Sequence, residues 1–221
     1  MPRRTVDLSH PLDHSTPPFP GDDSVEVTVK TSIPADLAPG TPGRLNTSVL
    51  RVSLHTGTHM DAFFHFYHGR ATIEQIPLAQ CMGPALLVDF SHKRAKEDIT
   101  EDDLAPLRES LSRTPKVLLN TGWAQYWGQP LYFTDYPALT GAAARFLVDC
   151  GIELVGVDTP SVDHSPNDAH FVLLGNDVLI VENLTNLDQI GQSLFEFTAL
   201  PLKITGRDGS PVRAIAVVEE P

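Results

Sequence analysis

His55-Thr56-Gly57-Thr58-His59-Met60-Asp61-Ala62-Phe63-Phe64-His65-Phe66 is the stretch on which the reading of this chain turns. One continuous helix accounts for it poorly. At about 100° per residue His55 and His59 share a face, but Asp61 falls about 240° away from His55. An extended chain aims positions 55, 59, 61 and 65 the same way, because all are odd. Distance then fails, since ten residues of straight strand span ~33 Å. The spacing therefore predicts a strand that ends at His55 and a sharp bend at Gly57-Thr58, where glycine turns at little cost. Such a bend closes the odd-numbered side chains around one point. Imidazoles and a carboxylate converging in this way suit zinc or another borderline divalent ion. Asp61 has two oxygens and can bridge two ions. The competing reading is a cluster of surface or core histidines with ordinary hydrogen bonds.

A second group of candidates lies downstream. Val157-Asp158-Thr159-Pro160-Ser161-Val162-Asp163-His164 leaves a strand for a loop, and His170 and Glu182 follow. Glu182 closes the apolar run that begins at Val178. A carboxylate buried there without a partner is costly, and a cation compensates it. Taken singly, Glu182 reads as an exposed strand end and His170 as a helix-surface residue. The first cluster is what makes them ligand candidates.

Around these segments the chain reads as one α/β domain over residues 1–221. Short β-branched runs at Val25–Thr31, Asn46–Leu54, Gly83–Phe90, Lys116–Asn120, Glu153–Asp158, Val178–Glu182 and Val212–Val218 predict strands. Thr100, followed by acidic residues, predicts a helix to about Leu111. Thr140 caps a second over Gly141–Cys150, with Gly151 just past its end, and Asn167–Leu174 is a short third. The proline-rich Pro11–Pro20 and the stretch Pro34–Gly43 read as loops. Topology does not follow from these runs.

Composition narrows the partners. A formal charge of −12 over 221 residues argues against nucleic acid or an anionic membrane. No apolar stretch reaches the ~18 residues that a membrane-crossing helix needs. Met1-Pro2-Arg3-Arg4 has no apolar run behind it, so no secretory signal is expected. Cys81 and Cys150 are expected as buried thiols in a reducing cytoplasm. Cys150 is a poor nucleophile candidate at a helix C-terminus, where the dipole opposes a thiolate. Neither a Gly-x-Ser-x-Gly elbow nor a phosphate-binding glycine loop is present.

The pattern His55-x-Gly57-Thr58-His59-x-Asp61-x-x-x-His65-Phe66 resembles that of the cyclase-family metal-dependent hydrolases, which include bacterial kynurenine formamidase and isatin hydrolase. The likeness extends over most of the chain. It takes in Asp7-Leu-Ser-His-Pro-Leu12, Pro18-Phe-Pro-Gly-Asp22, Leu118-Leu-Asn-Thr-Gly-Trp123, Asp158–Asp163, His170 and Glu182-Asn-Leu184. The histidine pattern is specific; each of the others is weak alone. One departure is Phe63, where the family usually has proline.

The resemblance implies a swivelling β/β/α-type fold, at least a homodimer, and one or two divalent ions, zinc or manganese. His55, His59 and Asp61 would hold the first ion; Asp61, His170 and Glu182 would hold the second; His65 would be the catalytic acid–base. The implied reaction is hydrolysis of an amide, formamide or lactam bond in a small molecule by metal-activated water, whose pKa falls to ~7 from about 15.7. A cyclase, dehydratase or lactonase would use the same residues. A non-catalytic structural metal site is the rival from another class. Phe19, Phe63, Phe64 and Trp123 are candidates for an aromatic substrate pocket, with core packing as the alternative for each. Tyr126-Trp127 and Tyr132-Phe133 are candidate contact surfaces for the oligomer.

Overall fold

Apolar runs in the second half of the chain pair in parallel and form the centre of a mixed sheet. In the computed structural model, which describes residues 2–43 and 45–219, the strands are β1 (Arg3–Asp7), β2 (Glu26–Thr31), β3 (Thr47–Arg51), β4 (His59–Asp61), β5 (Met82–Asp89), β6 (Asp98–Ile99), β7 (Lys116–Asn120), β8 (Ala138–Leu139), β9 (Leu154–Val157), β10 (Leu179–Glu182), β11 (Leu194–Pro201) and β12 (Gly209–Glu219). The helices are α1 (Glu101–Leu104), α2 (Arg108–Leu111), α3 (Gly141–Asp149) and α4 (Asp168–Gly175).

The main sheet runs β1-β12-β11-β5-β7-β9-β10-β4, and β4 pairs a second time, with β12. That extra pairing closes seven of the eight strands into a ring, leaving β1 outside it. β5, β7, β9 and β10 are parallel neighbours, while β4, β11 and β12 join antiparallel. β7, β9 and β10 carry Val117, Leu118, Leu119, Leu154, Val155, Leu179 and Ile180, each fully buried, as expected of strands covered on both faces. At about 25 cal/mol per Å² of apolar surface, this burial is the main force holding the domain together. α3 and α4 pack on each other, and α4 also meets β10.

Several predicted elements differ in form. The helix predicted from Thr100 to Leu111 is broken into α1, a 3₁₀ turn at Ala105–Leu107, and α2. Pro106 has no N–H to donate, so the ladder cannot run through it. Thr100 does cap α1, accepting from the Asp103 N–H while Asp103 accepts from the Thr100 N–H at 2.7 Å. The strand predicted over Asn46–Leu54 stops at Arg51 and pairs with β2 in an exposed hairpin, so His55 lies in the turn beyond it. Among the described residues, β1, β4, β6, β8 and β11 have no counterpart in the sequence reading.

Candidate metal centre

β4 contributes only three residues, yet it is clamped on two sides. It pairs with β10 in the register Glu182↔His59, Val181↔Met60 and Ile180↔Asp61, and with β12 in the register Pro211↔His59, Ser210↔Met60 and Gly209↔Asp61. Alternation sends Met60, fully buried, into the core and puts His59 and Asp61 on the other face. His59 stands opposite Glu182 across the ladder, so the two side chains share that face.

The approach to β4 is a turn through Gly57, whose φ is +65°; a Cβ at this position would come within 2.6 Å of Leu12 Cδ2. Thr58 locks the turn, donating through Oγ1 to the Asn183 carbonyl (2.6 Å) and accepting from the His10 N–H (3.0 Å). After β4 the chain enters a 3₁₀ turn, Phe63–His65. The bend brings the His65 ring onto that of His55, centroids 4.1 Å apart and 28° from parallel. His170 comes from the first turn of α4.

Five groups converge. Asp61 Oδ1 lies 2.8 Å from His55 Nδ1 and 3.5 Å from His59 Nε2; Asp61 Oδ2 lies 3.7 Å from His170 Nε2. Glu182 reaches His59 Nε2 through Oε2 and His170 Nε2 through Oε1, both at 3.4 Å. The donor atoms of His55, His59 and Asp61 form one compact set, and those of Asp61, His170 and Glu182 another.

Two observations fit a cation to these groups. First, Asp61 is 1% exposed and neither of its oxygens has a well-aligned donor; only imidazole nitrogens face them, the nearest being His55 Nδ1 at 2.8 Å. A bare carboxylate in that position is strongly disfavoured unless a cation faces it. Second, each imidazole is held from behind by an acceptor, the arrangement that orients metal-binding histidines. His55 Nε2 donates to Asp208 Oδ2 at 2.6 Å, His59 Nδ1 to the Gly57 carbonyl at 2.9 Å, and His170 Nδ1 to Asp163 Oδ1 at 2.6 Å. Glu182 Oε1 is itself steadied by the Val162 N–H at 2.9 Å.

The charges reinforce one another. Burial acts to raise Asp61, but the surrounding imidazoles outweigh it and hold its carboxyl well below the usual range. Burial acts to lower His55 and His59; the carboxylates outweigh it and lift them to about 10 and about 9. His170 is raised in the same way, burial being overcome first by Asp163 and then by Asp61 and Glu182. His65 stands apart: its partial burial lowers it, opposed by Asp61 and reinforced by His55.

A cavity of about 240 Å³ opens onto the centre, lined by Phe19, Phe66, His65, Ser161 and Asn167 as well as His55, His59, His170 and Glu182. Of the four aromatic candidates only Phe19 borders it. Phe63 is buried in the main core and Phe64 is half-buried away from the cavity. Trp123 packs with Tyr132, Tyr136 and Ala138 in a separate cluster, its Nε1 donating to the Tyr132 carbonyl. Phe66, which the sequence reading did not single out, lines the cavity and stacks on His170 at 4.7 Å. Asp208 and Asp163 also escaped it. Asp163 sits inside a quoted motif; Asp208 is a lone acid ahead of β12 with no local pattern to mark it. A larger groove of about 870 Å³, beside Asp89, Asn120 and Asp158 at the ends of the parallel strands, includes none of the candidate ligands.

Comparison with known proteins follows the same lines. Residues 6–164 match a family model described as putative cyclase. The chain is 33% identical over 216 residues to a kynurenine formamidase of Bordetella petrii, covering 96% of this chain and 97% of that one. It is 35% identical over 214 residues to a kynurenine formamidase of Bacillus mycoides, covering 95% of each. Among solved structures, isatin hydrolase A from Labrenzia aggregata bound to benzyl benzoate superposes with a TM-score of 0.85 at 27% identity, over 99% of this chain and 94% of that one. A potential metal-dependent hydrolase with cyclase activity gives 0.80 at 27% identity, over the whole of both chains.

Proposed function

We propose that this chain, which belongs to the putative-cyclase family of metal-dependent hydrolases, cleaves the C–N bond of a small aryl formamide or lactam in the cavity above Asp61. The observation that carries the reading is the pair of buried Asp61 oxygens, without a well-aligned donor, inside a ring of three oriented imidazoles and Glu182. His55, His59 and Asp61 would hold one divalent ion, and Asp61, His170 and Glu182 a second; the donor set suits zinc or manganese. When bound, such an ion supplies a hydroxide nucleophile near neutral pH and polarises the carbonyl.

The chain's own groups do the rest. Phe19 and Phe66 are apolar walls for an aromatic ring, and Phe66, stacked on His170, fixes where that ring stops. His65 stands at the cavity edge with its side chain 30% accessible, and its depressed pKa keeps the imidazole neutral at pH 7, as a base must be. It takes the proton released as the water oxygen bonds to the carbonyl carbon. It returns that proton to the nitrogen as the C–N bond breaks, so the products are a carboxylic acid and an amine. A purely structural metal site has no use for a cavity or for a sixth polar group beside its ligands.

Assembly is a second part of the proposal. Tyr132 is fully buried and Trp127 stacks on His10 at 3.8 Å, so these two aromatics are engaged within the chain. The β2–β3 hairpin instead exposes Val29, Val49 and Leu50. A two-stranded ribbon is marginal alone in water, and a second copy would cover it. Among the described residues no helix is long and apolar enough to cross a membrane; a cytoplasmic site of action is part of the proposal.

The test is direct. Protein loaded with zinc or manganese should hydrolyse N-formylkynurenine or isatin, followed by absorbance, and lose activity to a chelator. Light scattering should report a mass above 24.1 kDa. Metal-replete protein inert on every aryl formamide and lactam offered would overturn the reaction.

A further inference from the structure

We infer that Asp208 sets which ring nitrogen of His55 faces the metal position. The inference rests on the metal-centre reading above and extends it to a residue outside the ligand set. A carboxylate can only accept, so the 2.6 Å contact between His55 Nε2 and Asp208 Oδ2 places a hydrogen on Nε2. His55 therefore presents Nδ1 to Asp61. That is the opposite choice from His59 and His170, which present Nε2 and are held through Nδ1. An imidazole turned half round about its own axis would place Nε2 and a carbon at different points, so the position of the first ion depends on this one bond.

The surroundings make Asp208 a fixed reference. Its main-chain carbonyl accepts from the Ala62 N–H at 2.8 Å, and that of Arg207 accepts from the Ile73 N–H at 2.8 Å, so the segment is tied to both sides of the histidine turn. Gly209 then pairs with Asp61. A Cβ on Gly209 would lie 2.8 Å from His55 Cε1, 2.9 Å from the Met60 carbonyl and 3.2 Å from His55 Nε2, so these ring atoms lie close against bare backbone. His65 stacks on the ring, and its Nδ1 is 3.9 Å from the same Asp208 oxygen. One carboxylate thus holds a metal-binding imidazole in place and borders the acid–base group beside it. Asp208 is a positioning residue, acting through His55.

The experiment is zinc affinity of the full chain, measured by competition with a chromophoric chelator, for the parent, Asp208→Ala, Asp208→Asn, His55→Ala and the double variant His55→Ala/Asp208→Ala. Asp208→Ala should weaken zinc binding about 10- to 100-fold. Asp208→Asn should lose much less, because its amide oxygen still accepts from Nε2. In the His55→Ala background, Asp208→Ala should make no further difference, as expected of two residues acting through one contact. Parental affinity in Asp208→Ala overturns the inference. So does equal weakening in Asp208→Asn, which would mean that charge and not orientation matters, and so does an undiminished effect without His55. A parent chain with no affinity for zinc overturns the metal centre and this inference together, whereas a zinc-binding parent with an indifferent Asp208→Ala overturns only the latter.

Discussion

His59 and Glu182 face each other across the antiparallel register of β4 and β10, with Nε2 and Oε2 3.4 Å apart and both side chains buried. The sheet itself sets that distance, because directly opposed residues of a ladder have fixed Cβ separations. Two side chains far apart in the sequence are thereby brought side by side by backbone pairing.

Replacing Glu182 with glutamine keeps the shape and removes the charge. Bound zinc, measured by elemental analysis after dialysis against a buffered chelator, should fall at least about tenfold in affinity. Full occupancy in this variant would contradict Glu182 as a ligand.

Proton uptake gives a second prediction. Burial by itself lowers His55 and His59, but Asp61 with Asp208, and Asp61 with Glu182, bring them to about 10 and about 9. In the unfolded chain they sit near ~6.5. A folded value above the unfolded one gives stabilisation that is complete below ~6.5 and is lost as pH rises through about 9 to 10. Protein stripped of divalent ions should therefore unfold at lower urea at pH 10 than at pH 7. Binding an ion must displace the same protons. Calorimetric titration with zinc at pH 7.5 should show a heat that depends on the buffer's ionisation enthalpy; a buffer-independent heat would contradict protonated imidazoles.

His65→Ala should leave zinc content at the parental level and lower turnover by roughly 10²–10⁴-fold, the usual worth of one positioned acid–base group. Loss of the metal along with the activity would make His65 a ligand. Retention of both would pass the proton to another group.

Gly57→Ala tests the turn. It forces a side chain onto a φ of +65° and into Leu12. A destabilisation of about 1–3 kcal/mol is expected, read as a lower urea midpoint, with weakened zinc binding beside it. An unchanged midpoint would mean that the turn relaxes freely.

Much of the candidate centre is legible in the sequence. The odd spacing of His55, His59, Asp61 and His65 implied a bend that gathers them, and the chain does bend at Gly57. The route differs, because β3 ends at Arg51 and His59–Asp61 form a strand of their own. Three residues are too few to show a period, so β4 was invisible; it exists because β10 and β12 grip it. β11 was legible and passed over, since Phe195, Phe197 and Ala199 alternate inward along it. The aromatic pocket was the hardest part. Phe63, Phe64 and Phe66 are close in sequence, and only the 3₁₀ turn decides that Phe66 reaches the cavity while Phe63 enters the core. Asp208 is a long-range partner of His55 with no local signal at all.

The second grip on β4 has a consequence in time. All five proposed ligands lie at or before Glu182, but the strand that walls them in, β12, starts at Gly209. A ribosome making this chain has therefore threaded out every proposed ligand well before the ring of strands can shut. In that interval the histidine turn has one edge open to water, and the Asp208 carboxylate behind His55 does not yet exist. Capture of the proposed ion in its final geometry would thus be a late event of biogenesis, waiting on the non-local pairing of β12 with β4. Nascent chains arrested before residue 209 carry the complete ligand set without the structure that orients it.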